Sequence, residues 1–256
     1  MHPRLFTIGS FEIGTYGLLL AIGLYCSLVL LSRRAPSFGV SRDDIPSLGL
    51  WVVLAGIVGA RIVYLAVDWR GLLATPRILY SRAGFVFYGG FLGGLLATVL
   101  WARRRRISFW NLSDLVAPAI PLGHAFGRIG CFLNGCCGGR KTPLPFPLGV
   151  HFPETVGRVY PTQIYSALFN FALFAFLIVY SRKRRFAGQV FLAYVVGYSI
   201  FRFLIETLRA DLKGTFGPIS STQVLCLIVL AVSPFLYHRL SRRSVSAGSD
   251  VSGNTV

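Results

Sequence analysis

Charged residues are scarce in this chain of 256 residues, at 14% against 54% hydrophobic residues. A soluble globular domain carries more charge than that. Only nine residues are acidic, which leaves a formal net charge of +17. The basic residues lie in short clusters between long apolar runs, a pattern typical of membrane proteins. We therefore expect membrane lipids as partners, and no nucleic acid.

The signatures of familiar hydrolases are also missing. The chain contains no G-x-S-x-G elbow, no recognisable Ser-His-Asp set and no pair of carboxylates inside an apolar run. Those constellations activate a side-chain nucleophile in known enzymes. Hydrolysis by a nucleophile of the protein itself is therefore not indicated.

Seven apolar runs approach the ~20 residues that a helix needs to cross a bilayer. They lie near 13–32, 48–68, 84–102, 113–133, 162–180, 187–208 and 221–240. The first is too long for a signal-peptide core and no small-residue cleavage site follows it, so we expect it to be retained. We predict an all-α integral membrane protein with one polytopic domain at 1–240 and a disordered cytoplasmic tail at 241–256.

The basic clusters predict the orientation of the seven transmembrane helices. Compact clusters follow the first, third, fifth and seventh runs, which places the N-terminus outside and the C-terminus inside. The connection 134–161 is rich in proline and glycine, which excludes a continuous helix. It is also too polar to face lipid. We expect it to form a small irregular cap on the outer, periplasmic side.

Polar side chains within the runs converge on one depth near the outer surface. A charge deep in a bilayer costs about 2.5–3.5 kcal/mol on insertion scales, which makes such residues functional candidates. The intrahelical arginines outnumber the single acid, Glu206, so this layer is suited to a bound anion. Guanidinium groups suit phosphate, and lipid headgroups supply it at that depth. The polar residues of the layer are Tyr16, Arg61, Tyr88, Arg128, Gln163, Tyr165, Arg202, Glu206 and Arg209.

Structural roles remain open for several of these residues. Arg61 could extend its guanidinium to the membrane surface. Arg202 and Glu206, spaced i, i+4, could pair as a structural ion pair. Tyr16 and Tyr88 could belong to an aromatic belt at the membrane interface.

The stretch GHAFGRIGCFLNGCCGG (123–139) is the strongest candidate site. Its Arg128 lies between Gly127 and Gly130, in a helix that neither glycine favours. Its glycines allow close backbone approach and expose N–H groups to an anion. The stretch predicts a phospholipid-headgroup site in the outer leaflet.

The three cysteines of this stretch, Cys131, Cys136 and Cys137, admit three interpretations. They could bind a metal, although C-x4-C-C lacks a recognisable two-pair ligand pattern. Cys136 and Cys137 could be redox-active or disulfide-bonded outside the cytoplasm. They could also be small residues that pack a tight turn, which is the interpretation we favour. We expect no metal and no cofactor.

Seven motifs occur in order along the chain: YGLLLAIGL (16–24), GARIVY (59–64), FYGGFLGG (87–94), SDLVAPAIPLG (113–123), GRIGCFLNG (127–135), YPTQIY (160–165) and FRFLIETLR (201–209). Together they resemble the motifs of the bacterial prolipoprotein diacylglyceryl transferase family. The resemblance covers most of the chain. It implies a seven-helix, multi-pass enzyme in the bacterial cytoplasmic (inner) membrane, with its active site toward the outer leaflet.

The resemblance also implies an activity. Members transfer the diacylglyceryl group of phosphatidylglycerol to the thiol of the lipobox cysteine in a prolipoprotein signal peptide, and glycerol phosphate leaves. The nucleophile then belongs to the substrate, which fits the missing hydrolase signatures. Fixed cations would stabilise the charge that develops on the leaving phosphate.

Residue roles follow from the same resemblance. Arg128 and Arg202 would clamp the phosphate, and Glu206 would orient an arginine. The residues expected to act in catalysis are Arg128, Arg202, Tyr88 and Glu206. Those expected to bind phosphatidylglycerol are Tyr16, Arg61, Arg128, Asn134, Gly135, Gly139, Arg202 and Arg209.

The chain departs from the family pattern where the thiol would be activated. The family's two histidines correspond to Tyr88 and Tyr160, an asparagine to Cys131 and an acidic residue to Cys136. A tyrosine hydroxyl is a poor base near neutral pH, although it could hydrogen-bond the phosphate or relay a proton. His124 and His151 are other histidines, at positions that do not match.

Two other functions remain open from the sequence. One is a degenerate relative that binds lipid or a signal peptide without chemistry. The other is a transporter of anionic phospholipid, which would need a polar path through the inner leaflet. The inner halves of the runs are nearly free of charge.

Overall fold

The computed structural model describes residues 4–8, 11–75, 84, 86–153, 155–210, 214–216 and 219–252. These residues are mostly helical. Their helices are α1 (Thr15–Arg34), α2 (Asp44–Val67), α3 (Trp69–Ala74), α4 (Phe87–Arg104), α5 (Phe109–Val116), α6 (Ala119–Leu133), α7 (Thr162–Ser181), α8 (Gln189–Glu206) and α9 (Ser221–Ser252). A 3-10 turn at Ala35–Phe38 follows α1.

Short antiparallel strand pairs accompany the helices. β1 (Arg4–Ile8) pairs with β2 (Phe11–Gly14), and β3 (Val150–His151) pairs with β4 (Arg158–Val159). β5 (Gly214–Phe216) pairs with β6 (Ile219–Ser220) between α8 and α9. Over its described residues, 134–153 and 155–161, the predicted cap contains β3 and β4 and no helix.

The prediction of a mostly helical membrane protein is confirmed. Six helical stretches of the described chain are long and apolar enough to cross a membrane: Thr15–Phe38, Asp44–Val67, Phe109–Leu133, Thr162–Ser181, Gln189–Glu206 and Ser221–Arg242. Each coincides with one predicted run. The remaining predicted run, 84–102, coincides with α4, which ends in Arg103 and Arg104 and is not among the six. Seven crossings therefore stay a prediction.

Two segments differ from the sequence expectations. The fourth run, predicted as one helix over 113–133, is divided into α5 and α6 at Pro118, because proline has no N–H to donate and restricts the residue before it. At the C-terminus, α9 continues to Ser252, whereas we expected disorder from residue 241. Residues 253–256 lie outside the described part of the chain.

The chain divides into two compact units. One comprises Leu31–Leu112, and the other comprises Met1–Leu30 with Ser113–Val256. The single polytopic domain at 1–240 stays a prediction, and each unit is described by itself.

Glycines pack α2 against α4 in the unit Leu31–Leu112. A Cβ added to Gly59 would overlap the carbonyl oxygen of Gly89 and lie 3.1 Å from the Cα of Gly93. A Cβ on Gly93 would overlap the carbonyl oxygen of Ala55. Small residues allow this close approach of helices in membranes. The glycines of GARIVY and FYGGFLGG therefore serve helix packing.

A buried carboxylate joins α5 to the start of α8 in the other unit. Asp114 is fully buried and forms an ion pair with Arg184, with 2.8 Å between Oδ2 and Nε. The backbone N–H groups of Gly188 and Phe191 donate to its two oxygens at 2.7 and 2.8 Å. Asp114 thus satisfies N–H groups at the N-terminus of α8 that lack partners within that helix.

We expect Asp114→Ala to lower the free energy of unfolding by about 3–5 kcal/mol, because it breaks the buried ion pair with the largely buried Arg184. Unfolding in detergent micelles measures the loss. Asp44→Ala is the matched control, since its partner Arg105 is 51% exposed and such pairs contribute about 0–1 kcal/mol. Equal losses in the two variants would contradict a structural role for the buried pair.

Candidate active site

The end of α6 forms a tight loop that returns the chain to the helix terminus. Asn134 caps α6, and its N–H donates to the carbonyl of Gly130 at 2.9 Å. Gly135 has a φ of +76°, a left-handed conformation that closes many helices and favours glycine. Cys137, at φ +65°, takes the same conformation without being glycine. The loop therefore brings Cys136 and Cys137 back toward Cys131, whose carbonyl accepts from the Cys136 N–H at 3.1 Å.

Residues far along the chain fix this loop. The fully buried side chain of Gln163 donates through Nε2 to the carbonyl of Cys136 at 2.7 Å. The hydroxyl of Thr162 donates to the carbonyl of Cys137 at 3.2 Å. The Arg140 N–H donates to the carbonyl of Leu208 at 2.8 Å. The start of α7 and the residues after α8 therefore hold the loop in place.

Gly139 lies buried where these segments meet. A Cβ at this position would overlap the carbonyl oxygen of Leu208 and lie 2.8 Å from Cγ2 of Thr162 and 2.9 Å from Cβ of Tyr160. The backbone of Tyr160 also accepts from the Gly139 N–H at 2.8 Å. A side chain at residue 139 thus has no room without moving backbone.

We expect Gly139→Ala to lower the free energy of unfolding by about 1–3 kcal/mol, the usual cost of overpacking a dense site. The midpoint of thermal unfolding in detergent measures the loss. Gly17→Ala is the control, because none of the described atoms outside its own helix lies within 4 Å of its added Cβ. A Gly139→Ala variant as stable as the wild type would show that the loop can move aside.

Two arginines lie near one buried carboxylate. Glu206 is 5% exposed, and its Oε2 lies 2.8 Å from an Nη of Arg202 and 4.0 Å from Nε of Arg209. Its other oxygen accepts from the hydroxyl of Ser220 at 3.1 Å. The i, i+4 pair of Arg202 and Glu206 therefore forms, and it holds the Arg202 side chain at the end of α8.

Arg128, the third arginine of the candidate site, lies on α6. Its Nε donates to Nε2 of His124 at 3.1 Å, and the His124 ring lies 5.6 Å from the ring of Tyr198. The charges of Arg128 and Arg202 both act on His124 and on Tyr198. The two guanidiniums therefore lie within electrostatic range of the same two rings.

Among the described residues, positive charge is in excess in the arginine cluster, which comprises Arg128, Arg202 and Arg209. Among the described residues, Arg128 has no acidic partner at ion-pair distance, and Arg202 and Arg209 share Glu206. A desolvated guanidinium favours a hydrogen-bonded anion, and a phosphate accepts from two donors of one guanidinium at once. The arrangement is chemically fit to bind a phosphate and to stabilise charge that develops on it.

Tyr16 reaches the cluster because α1 and α6 pass close together. A Cβ on Gly130 would lie 3.1 Å from Cδ2 and 3.3 Å from Cα of Tyr16. The hydroxyl of Ser27 donates to the carbonyl of Ala119 at 3.1 Å along the same crossing. Tyr16 thereby interacts electrostatically with Arg128 and with the three thiols at the end of α6.

The three thiols form a compact group beside the arginines. The sulfurs of Cys131, Cys136 and Cys137 all lie within 4.8 Å of one another, and each cysteine is free. Hydrogen bonds with Cys131 and Cys136, together with the charges of Arg128 and Arg209, lower the pKa of the Cys137 thiol to about 5, although partial burial opposes this. The turn-packing role expected from the sequence stays a prediction.

Two expected site residues belong to the unit Leu31–Leu112. Arg61 donates to the carbonyl of Gly84 at 3.1 Å, and its guanidinium lies 5.4 Å from the centre of the Tyr64 ring. Tyr88 is 61% exposed in the first turn of α4. Their part in the site stays a prediction. The other unit brings together Tyr16, Arg128, Arg202, Glu206 and Arg209, with Asn134, Gly135 and Gly139 in the adjoining loop.

Tyr198 was not identified from the sequence. It lies four residues before Arg202 on α8, and Tyr194 lies four residues before that, stacked on Tyr198 with 5.9 Å between ring centres. Spacings of four place side chains on one face of a helix. This polar face within an apolar helix is the signal that could have identified Tyr198.

Comparison with known families finds a match over most of the chain. The profile of the family described as prolipoprotein diacylglyceryl transferase matches residues 3–239. The chain belongs to this family. The match runs from β1 through most of α9 and includes the cap and the arginines of the candidate site, so the resemblance carried by the seven motifs is confirmed.

Relatives within the family are similar over nearly their whole length. A phosphatidylglycerol–prolipoprotein diacylglyceryl transferase from Clostridium tetani is 36% identical over 245 residues, which cover 93% of this chain and 97% of the relative. Proteins of the same name from Clostridium perfringens (number 2) and Bacillus cytotoxicus are 34% and 32% identical. They share 90% and 88% of this chain, and 92% and 87% of their own lengths.

Proposed function

We propose that this chain transfers the diacylglyceryl group of phosphatidylglycerol to the lipobox cysteine of prolipoproteins and releases glycerol phosphate. The observation that carries the proposal is membership of the transferase family over residues 3–239. The excess of guanidinium groups around Glu206 supports it independently, because the leaving group is a phosphate.

The chemistry is a displacement at carbon. The substrate thiolate attacks the glycerol carbon that is bonded to a phosphate oxygen, a new S–C bond forms, and the C–O bond breaks. The electron pair of that bond stays on the phosphate oxygen. Arg128 and Arg202 act where this charge develops, so they stabilise the transition state more than the ground state. Glu206 positions Arg202 by the 2.8 Å ion pair.

The membrane arrangement completes the proposal. We place seven crossings in the bacterial inner membrane, with the N-terminus outside, the C-terminus inside and the site toward the outer leaflet. The basic clusters after alternate runs support this orientation. Reporter fusions at the C-terminus and within the cap test it: activity of a cytoplasmic reporter in the cap would contradict it.

A reconstituted reaction tests the function. Purified protein in detergent is mixed with phosphatidylglycerol and a lipobox peptide, and the mass of the peptide and the release of glycerol phosphate are measured together. We expect a mass gain of one diacylglyceryl group, and none for a peptide with serine at the lipobox position. A lipid- or peptide-binding relative without chemistry, or a lipid transporter, would release no glycerol phosphate.

A further inference from the structure

We propose that Cys131, Cys136 and Cys137 form a zinc site with three thiolate ligands, and that its fourth position takes the substrate thiol. The inference rests on the proposed function for the identity of that thiol. It replaces the expectation of no metal, which came from the spacing of the cysteines along the chain. The spacing is uninformative here because the loop after α6 folds back on the helix end.

The distances between the sulfurs suit one metal ion. Zinc binds thiolate at about 2.3 Å, so two sulfurs of a tetrahedral site are about 3.8 Å apart. The sulfurs of Cys136 and Cys137 are separated by 3.8 Å, and all three sulfurs lie within 4.8 Å of one another. Small side-chain rotations at Cys131 would complete the geometry. Soft thiolate ligands favour zinc over hard cations such as magnesium.

The backbone that carries the ligands is held by other contacts. Gln163 and Thr162 bind the carbonyls of Cys136 and Cys137, and the left-handed Gly135 sets the turn. Folding of the loop therefore does not depend on a metal, and the ligands are preorganised for one. This is what a functional site requires of its supporting residues.

The ligand set leaves one position open. Among the described residues, the group contains three cysteines and no fourth Cys, His, Asp or Glu side chain. Cys137 is exposed, whereas Cys131 and Cys136 are partly buried, so the open side faces outward. Structural zinc sites have four protein ligands, and catalytic sites have three with an open position. The arrangement here is of the second kind.

An open zinc position supplies what the arginine cluster lacks, which is a means of activating the thiol. His124 already accepts from Arg128, and a tyrosine hydroxyl is a poor base near neutral pH. A thiol that coordinates zinc loses its proton outright. The charge of Arg128 acts on Cys131 and Cys137, so the thiols and the phosphate-binding group are neighbours.

The step balances without a redox partner. The substrate thiol displaces water at the fourth position, and its proton passes to solvent water. The bound sulfur then attacks the glycerol carbon that carries the phosphate, the S–C bond forms, and the C–O electron pair leaves with the phosphate. The thioether product is a weaker ligand than a thiolate, so water can replace it.

Metal content tests the site. Protein purified with a phosphine reductant is stripped with a chelator, incubated with zinc chloride and desalted, and zinc is measured by elemental analysis. We expect one zinc per chain in the wild type and in Cys26→Ser, the control from α1. Cys131→Ser, Cys136→Ser and Cys137→Ser should each retain far less. Equal zinc in all five proteins, or none in the wild type, would overturn the site.

Cobalt(II) tests the open position. Bound in place of zinc, it reports thiolate ligands by a charge-transfer absorption. We expect this absorption to rise by about a third when the lipobox peptide adds a fourth thiolate, and to stay constant with the serine peptide. A spectrum that the lipobox peptide leaves unchanged would overturn the role of the metal in thiol activation.

Transfer activity separates this inference from the proposed function. Stripping should lower the rate by about 100-fold or more, as expected when activation of the nucleophile is lost, and zinc but not magnesium should restore it. A stripped protein with full activity would overturn the inference and leave the function standing. A zinc-loaded protein that modifies no peptide would overturn the function, while the metal content would still establish the site.

Discussion

Replacement of Arg128 by alanine should lower the rate of diacylglyceryl transfer by about 100- to 1,000-fold while the protein stays folded in the membrane. This is the usual effect of removing one preorganised donor from a developing anion. Arg128 is the strongest single test because, in the described chain, no carboxylate competes for its guanidinium. Its hydrogen bond to His124 uses one N–H of a group that has five donors.

The rate constants show what Arg128 does. If it acts on the leaving phosphate, kcat falls and KM for phosphatidylglycerol changes little. If Arg128 instead binds the headgroup equally in the ground state and the transition state, its removal raises KM and leaves kcat unchanged. Arg128→Lys should recover only part of the loss, because an ammonium keeps the charge but not the two-pronged hydrogen bonding.

Arg105→Ala provides the matched control for the loss of one positive charge. Arg105 is half-exposed and pairs with Asp44, so its removal should leave the rate unchanged. Full activity in Arg128→Ala, measured as mass gain of the lipobox peptide, would remove this residue from the mechanism. A rate that falls equally in Arg105→Ala would show only a general effect of charge.

The positions of the helices could be predicted from the sequence, because the length of each apolar run is enough to identify a membrane-spanning helix. The predicted runs coincide with helices, including α7, which begins at Thr162 as expected. Pro118 alone did not predict the break between α5 and α6, because a proline near the start of a helix is also compatible with one continuous span. The role of Asp114 was hidden for a different reason. Its partners, Arg184, Gly188 and Phe191, lie 70 or more residues along the chain.

The cysteine group shows where sequence reasoning stops. Ligand motifs are recognised by regular spacing along one element, but these thiols meet because two residues with positive φ, Gly135 and Cys137, reverse the chain. That conformation depends on a hydrogen bond from Gln163, 27 residues away from the carbonyl that accepts it. Local secondary-structure propensity does not predict contacts between residues so far apart in the chain. The arginine cluster was easier to foresee, since the cost of a charge in a membrane marks each member separately.

The second large effect concerns Arg202, whose removal should affect stability and activity separately. Arg202→Ala leaves Glu206 buried, with Arg209 at 4.0 Å as its remaining cation among the described residues. Breaking a buried pair in this way costs about 3–5 kcal/mol of folding stability. We therefore expect Arg202→Ala to unfold at lower temperature and to lose transfer by about 100-fold or more.

The double variant Arg202→Ala with Glu206→Gln separates the two effects. Glutamine carries no charge, and its amide oxygen still accepts from the hydroxyl of Ser220, so much of the lost stability should return. Activity should not return, because the phosphate still lacks its second guanidinium. Unfolding midpoints and transfer rates are measured on the same detergent preparations of wild type, both single variants and the double variant. If the double variant regained activity along with stability, Arg202 would serve only to neutralise Glu206, and the phosphate clamp would reduce to Arg128 and Arg209.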